Sequence, residues 1–173
     1  MFLSRRRIIL IGVVVGIALA IILLPLILTI TLPTDLNKLT ISLSKVEVVN
    51  NITNNNNNHV VDLNVFFDVH NPTEKTLTTS RIEYELFADG NSLGQGTLSY
   101  EDIPVNGRPQ LLSYSTIPLK STFKLTNSST HMILFNKLVQ NSEISNKIKW
   151  RANGTAEIES GFSSSPKQFS STL

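Results

Sequence analysis

The chain is 173 residues long, with 41% apolar and 16% charged residues and no cysteine, which excludes disulfide scaffolds, thiol catalysis and cysteine-ligated zinc. The net charge of +2 is concentrated at the start: Arg5, Arg6 and Arg7 hold three of the 15 basic side chains, and from Pro33 onward twelve basic residues face thirteen acidic ones. So balanced a remainder has no basic face to follow a phosphate backbone, and nucleic acid is not an expected partner.

Residues 1–7 read as a short basic stub. Residues 8–32 carry no charge. As a helix those 25 residues rise roughly 37 Å, enough for about 30 Å of hydrocarbon. In lipid every backbone amide must be satisfied internally, which a helix achieves. Pro25, near the outer end, is expected to kink or fray it. A cleaved signal peptide has an apolar stretch of only about 7–15 residues before small residues, and here the one Ala-x-Ala, Ala18-Leu19-Ala20, lies mid-run. Ser4-Arg5-Arg6 echoes a twin-arginine signal, but the core is too long and apolar for one. The expectation is an uncleaved transmembrane signal anchor in the cell membrane, arginines cytoplasmic and the C-terminal domain extracytoplasmic. Gly12, Gly16 and Ala20 fall at i, i+4 and i+8, a small-residue row that would let two helices pack as a homodimer.

After a linker over 33–38, the pattern changes to period two, the mark of strands with one buried face. Leu39, Ile41 and Leu43 alternate with Thr40, Ser42 and Ser44, and Val46 and Val48 continue on the other parity. Such a one-residue slip predicts a bulge near Ser44–Lys45. Residues 50–58, nearly all asparagine, predict a low-complexity, mobile loop. The next strand places Val61, Leu63, Val65, Phe67 and Val69 on one face, with Asp62, Asn64, Phe66, Asp68 and His70 on the other. Asn71-Pro72 ends it. Ile82, Tyr84 and Leu86 alternate with Arg81, Glu83 and Glu85 in a third strand. Ala88-Asp89-Gly90-Asn91 then reads as a hairpin turn into a strand over Ser92–Ser99, where Gly94 and Gly96 mark a bulge or a close backbone approach.

Residues 103–107 read as a turn and Gln110–Leu119 as a fifth strand. Residues 126–129 offer helix caps, and Met132, Phe135, Leu138 and Val139 share one face of a helix expected over about 129–140. The last predicted strand, Lys147–Glu159, points Ile148, Trp150, Ala152, Ala156 and Ile158 inward. The Ser-rich tail, 161–173, is expected to be loose, with Phe162 and Phe169 able to dock. Six short strands and one helix, without strand–helix alternation, predict an all-β antiparallel sandwich over 39–160 behind a single transmembrane helix.

The order of these features resembles the group-2 late-embryogenesis-abundant (LEA_2) domain, also called the WHy (water stress and hypersensitive response) domain. Carrying residues are Asn71-Pro72 at a strand end, Tyr84 on the next strand, Gly90, Leu93, Gly94-x-Gly96, and Ile103-Pro104 before another strand. The helix at Met132–Val139 and the closing strand at Trp150–Ile158 follow in the same order, so residues 38–160 are covered. The family pattern often has a second Asn after Asn-Pro, where this chain has Thr73. The resemblance implies an immunoglobulin- or fibronectin-III-like sandwich. It also implies a non-catalytic role in desiccation and stress protection, often behind a membrane anchor. It makes Asn71, Pro72, Gly90, Gly94 and Gly96 turn, bulge and core residues.

Little in the sequence points to chemistry. Asp68 and His70 lie two apart on one strand face, about 7 Å along it, as metal ligands would, but no HxxxH or paired-histidine spacing supplies the rest of a site. No serine sits in Gly-x-Ser-x-Gly, and Gly94-Gln95-Gly96 lacks the third glycine of a dinucleotide loop. No metal, cofactor or enzyme activity is expected. Sequons at Asn51, Asn127 and Asn153 are candidate glycosylation sites on the outer side, while Pro72 disqualifies Asn71. The expected function is a membrane-anchored, extracytoplasmic binding or protective module. The alternatives are an accessory or structural subunit of a membrane complex, motivated by the small-residue row at Gly12, Gly16 and Ala20 and by Phe66 and Phe87 as exposed aromatics, and a lipid-binding or lipid-transfer domain.

Overall fold

The structure, a computed structural model, describes residues 12–24, 38–55, 58–104, 107–126, 132–140, 147–160 and 163–173. Two compact units divide the chain, Met1–Thr34 and Asp35–Leu173. In the first, a helix α1 covers residues 12–24 with its side chains exposed. Such a length rises only about 20 Å, and among the described residues no helix is long and apolar enough to cross a membrane. The rest of the expected 8–32 span lies outside the described residues. Gly12, Gly16 and Ala20 all fall on α1, and a Cβ added at either glycine would meet nothing within 4 Å.

The second unit is a β-sandwich of two antiparallel sheets. One has the order β1–β2–β6, built from Thr40–Asn55, Asn58–Asn71 and Ser115–Thr126. The other has the order β4–β3–β7–β8, built from Asn91–Ser99, Leu77–Ala88, Trp150–Ser160 and Ser163–Thr172. A two-residue β5, Gln110–Leu111, pairs with the start of β3. A helix α2, Met132–Gln140, stands between β6 and β7.

Period-two patterning accounts for the sheets. The five inward residues named for β2 are all buried, as are Ile82, Tyr84 and Leu86 of β3 and the five named for the last strand. They form one hydrophobic cluster with the inner faces of β1 and β6 and with Phe135 and Leu138 of α2. The slip in β1 is a bulge between Leu43 and Lys45 in the pairing with β2. At the β3–β4 hairpin, Asp89 (φ 51°) and Gly90 (φ 87°) both take positive φ, the two-residue turn whose twist suits antiparallel strands. Asp89 also ties this hairpin to the approach of β7: its N–H donates to the Lys149 carbonyl at 3.0 Å, and its Oδ1 accepts from the Lys149 N–H at 3.1 Å.

Several expectations are corrected. The asparagine-rich segment is largely strand: β1 runs into it to Asn55 and β2 leaves it from Asn58, with Thr53 opposite Val60 and Asn55 opposite Asn58, while residues 56–57 lie outside the described residues. Backbone ladder bonds form there whatever the side chains. The predicted strand over Gln110–Leu119 is two strands in different sheets. Between them the chain turns at Ser113-Tyr114, where Tyr114 has φ 56°, and the alternation of Leu111 with its neighbours runs on across that turn. Met132 is exposed rather than part of the buried helix face. The tail is β8, paired with β7 from Ser160↔Ser163 to Arg151↔Thr172. Phe169 holds it by packing edge-on to Phe67 with ring centroids 5.6 Å apart. Phe162 lies outside the described residues. Serine-rich composition concealed the strand because ladder pairing needs only backbone groups, and Phe169 packs against the core.

Candidate functional site

Two features of the sandwich gather the residues singled out in the sequence. The first is a polar knot at the end of β2. The Asn71 side chain is 0% exposed. Its Nδ2 donates to the carbonyls of Lys75 and Leu111, each at 2.8 Å, and of Leu112 at 3.1 Å. Its Oδ1 accepts from the Thr73 N–H at 3.1 Å and the Thr73 hydroxyl at 2.7 Å. Both ends of the amide are thus satisfied without water, as a buried amide requires. Thr73, the departure from the family pattern, is therefore a partner in this knot. One side chain ties the β2–β3 loop to β5 and to the turn that follows.

The second feature is Tyr84, on β3 at the middle of the second sheet. It lies opposite Gly96 on β4 and Gly154 on β7. A Cβ at Gly96 would run into the Tyr84 ring, and one at Gly154 into the Glu83 carbonyl oxygen and Phe169. The ring stacks edge-on to Phe67 at 4.9 Å and lies 6.5 Å from Phe123, both on the facing sheet. Its hydroxyl donates to Ser121 Oγ of β6 at 2.9 Å. Burial pushes the phenol pKa up, partly offset by that hydrogen bond.

An open depression of about 270 Å³ lies on the outer face of this sheet, over the backbone of Tyr84, Gly96 and Gly154. Glu83, Glu85, Gln95, Thr97, Asn153 and Thr155 rim it. Glu85 accepts from the Ser92 hydroxyl, Glu83 pairs with Arg81 at 3.4 Å, and Asn153 Oδ1 accepts from Ser170 at 2.8 Å. Such a rim can hydrogen-bond a hydroxyl or a cation. Its described lining holds no histidine or serine. Sequence reasoning missed the depression, because its lining comes from three strands and needs the strand order to be seen.

The remaining candidates are scattered. Asp68 Oδ1 accepts from the Ser44 hydroxyl at 3.2 Å, and His70 Nδ1 lies 3.0 Å from Thr116 Oγ1, so both serve cross-strand contacts on the outer face of the first sheet. Among the described residues no three His, Cys, Asp or Glu side chains converge where they could hold a metal ion. Gly94 (φ 119°) sits at the bulge opposite Leu86 and Phe87. Gly90 lies in the hairpin turn, and Pro72 is half-buried just after the knot. Asn153 is half-buried in β7, Asn51 lies in β1 within the register shift between Val49 and Thr53, and Asn127 lies outside the described residues. Phe66 and Phe87 are half-buried rather than exposed, and the Arg151 guanidinium covers the Phe87 ring at 4.3 Å.

No family model matches the chain, and no curated protein matches it. Among solved structures it is similar to a protein from Archaeoglobus fulgidus, at 17% identity and a TM-score of 0.42, covering 76% of this chain and 94% of that one. It is also similar to a protein from Arabidopsis thaliana solved in solution, at 14% identity and a TM-score of 0.47, covering 77% and 79%. A structural-genomics target determined by X-ray is a third, at 11% identity and a TM-score of 0.43, covering 79% and 83%.

Proposed function

We propose that the chain is a single-pass membrane-anchored, extracytoplasmic module of the LEA_2/WHy type, a non-catalytic binding or protective domain on an immunoglobulin- or fibronectin-III-like sandwich. One observation carries this reading. The residues behind the family resemblance are spent on the scaffold: Asn71 on the knot, Gly90 on the hairpin, Gly94 on the bulge and Gly96 beneath the Tyr84 ring. A pattern made of such residues describes a frame that presents a surface, not a reacting centre. The uncharged run over 8–32 behind Arg5–Arg7 supports the anchor. Fractionation and protease treatment of intact cells test it. The full chain is expected in the detergent-extracted membrane fraction, with its sandwich cut from outside, and cells lacking it are expected to survive drying less well. Recovery in aqueous extracts, or a sandwich protected until the cells are opened, overturns the anchored reading. Wild-type survival after drying overturns the protective one.

A further inference from the structure

We infer that the turn over residues 112–114 dips into the lipid–water interface, with Leu112 and Tyr114 as its inserting side chains. The inference rests on the anchored reading above.

The strand pairing places the ends of three strands at one end of the sandwich. β1 begins there, with Thr40 opposite His70; β2 ends there, with Asn71 opposite Ser115; and β3 begins there, with Leu77 opposite Leu111. The loop over 72–76 and the turn over 112–114 therefore lie at the end where the chain arrives from residue 39. The linker over 33–38 is six residues, at most about 20 Å when extended. An anchored chain so short of slack keeps this end next to the bilayer.

What the end presents suits that neighbour. Leu112 is 53% exposed and Tyr114 65% exposed. Tyr114 takes φ 56°, a left-handed conformation that a bulky side chain adopts only when its surroundings hold it there. The holding groups are visible: Asn71 Nδ2 and the Ser115 hydroxyl both donate to the Leu112 carbonyl, at 3.1 and 2.7 Å. The Tyr114 hydroxyl donates to Glu74 Oε1 at 3.3 Å, so the phenol has a polar tether while its ring stays bare. An apolar ring with a polar tip, beside a leucine on a braced turn, matches the groups that settle at the level of lipid headgroups. Bracing lowers the ordering cost of insertion.

Since the chain has no cysteine, a single label can be placed at will. The full chain carrying Ser113→Cys is labelled with an environment-sensitive fluorophore. It is reconstituted in vesicles of equal parts phosphatidylcholine and phosphatidylglycerol containing a nitroxide lipid. Asn91→Cys, on the opposite rim, is the control, and Ser163→Cys, at the start of β8, a second label at the lipid end. The sole tryptophan, Trp150, reports that each variant is folded. If Ser113→Cys does not fold, the Ser163→Cys label is read in its place against the label at 91. Expected is a blue-shifted label at 113, quenched several-fold more by the nitroxide than the label at 91, with most of the difference lost when Leu112→Ser and Tyr114→Ser are added. Vesicle flotation with equal quenching at 113 and 91 overturns the inference and leaves the anchor standing. A shift at 113 that grows with protein density but is not quenched by lipid assigns the turn to a second copy of the chain, which also overturns it. Failure to float overturns the anchored reading itself.

Discussion

Replacing Asn71 removes the knot that ties the β2–β3 loop to β5 and the following turn. In Asn71→Ala, hydrogen bonds to three carbonyls and two from Thr73 are lost at a position that is 0% exposed. Each is worth about 1 kcal/mol net, and a buried carbonyl left bare, as at Leu111, costs about 1–3 kcal/mol. Some of the part-buried groups will find water, so the expected loss is about 3 kcal/mol, a large share of a small domain's stability. Asn71→Asp is a sharper test because the shape is kept. Its carboxylate would face three carbonyl oxygens where the amide had donated, so ionisation is disfavoured in the folded state. The folded pKa then lies above the unfolded value of about 3.9. With that sign, stability relative to the parent is retained below the unfolded pKa and lost as pH rises through the folded one. Urea unfolding of the full chain in mild detergent, followed by emission of the buried Trp150, measures both variants. A loss below about 1 kcal/mol for Asn71→Ala, or an Asn71→Asp deficit equal at about pH 4 and about pH 7, refutes the knot.

Other outcomes follow from the same packing. Gly154→Ala should cost several kcal/mol, since the added methyl meets a backbone carbonyl as well as Phe169. Gly96→Ala meets only the Tyr84 ring and should be partly rescued by Tyr84→Leu, as a double-mutant cycle in urea would show. Burial raises the folded pKa of Tyr84, and of Tyr100, above the usual value of 10.0, so the unfolded chain sheds those protons first. Stability should therefore fall as pH climbs above that value, and less steeply in Tyr84→Phe, which costs about 1 kcal/mol at neutral pH for the lost Ser121 bond. Arg108 and Glu159, only 13% and 19% exposed, form an ion pair, and Arg108 also donates to the Ile103 carbonyl at 2.9 Å. Arg108→Ala should loosen the β4–β5 connection and speed its cleavage in limited proteolysis. Phe169→Ala should cost about 3 kcal/mol by emptying the place beside Phe67.

Legibility in the sequence followed how local the determining physics is. The faces of β2, β3 and β7, the Asp89-Gly90 hairpin and the bulge after Leu43 all follow from alternation and turn chemistry within a few residues. What escaped depends on partners far along the chain. β8 needs β7 beside it before a serine-rich stretch has any reason to be extended. The break at Ser113-Tyr114 is set by Asn71, forty residues away, and by Leu111 reaching Leu77. Asn71 was readable as the end of a strand, but its role as a five-bond hub is not, because four of those bonds go to backbone groups and the fifth to a hydroxyl, partners whose identity the sequence leaves open. Gly154 read as part of a sequon, and its need for a bare Cα shows only once Tyr84 is opposite it.

The bulge in β1 has a consequence for solubility. β1 lies at one margin of its sheet, and unpaired amides on such a margin are a template for other chains, all the more beside an asparagine-rich hairpin. Here the Leu43 amide, at the bulge, donates instead to the Ser171 hydroxyl of β8 at 2.9 Å. The margins of the two sheets are buttoned together at that point, and an incoming strand meets a break in the row there.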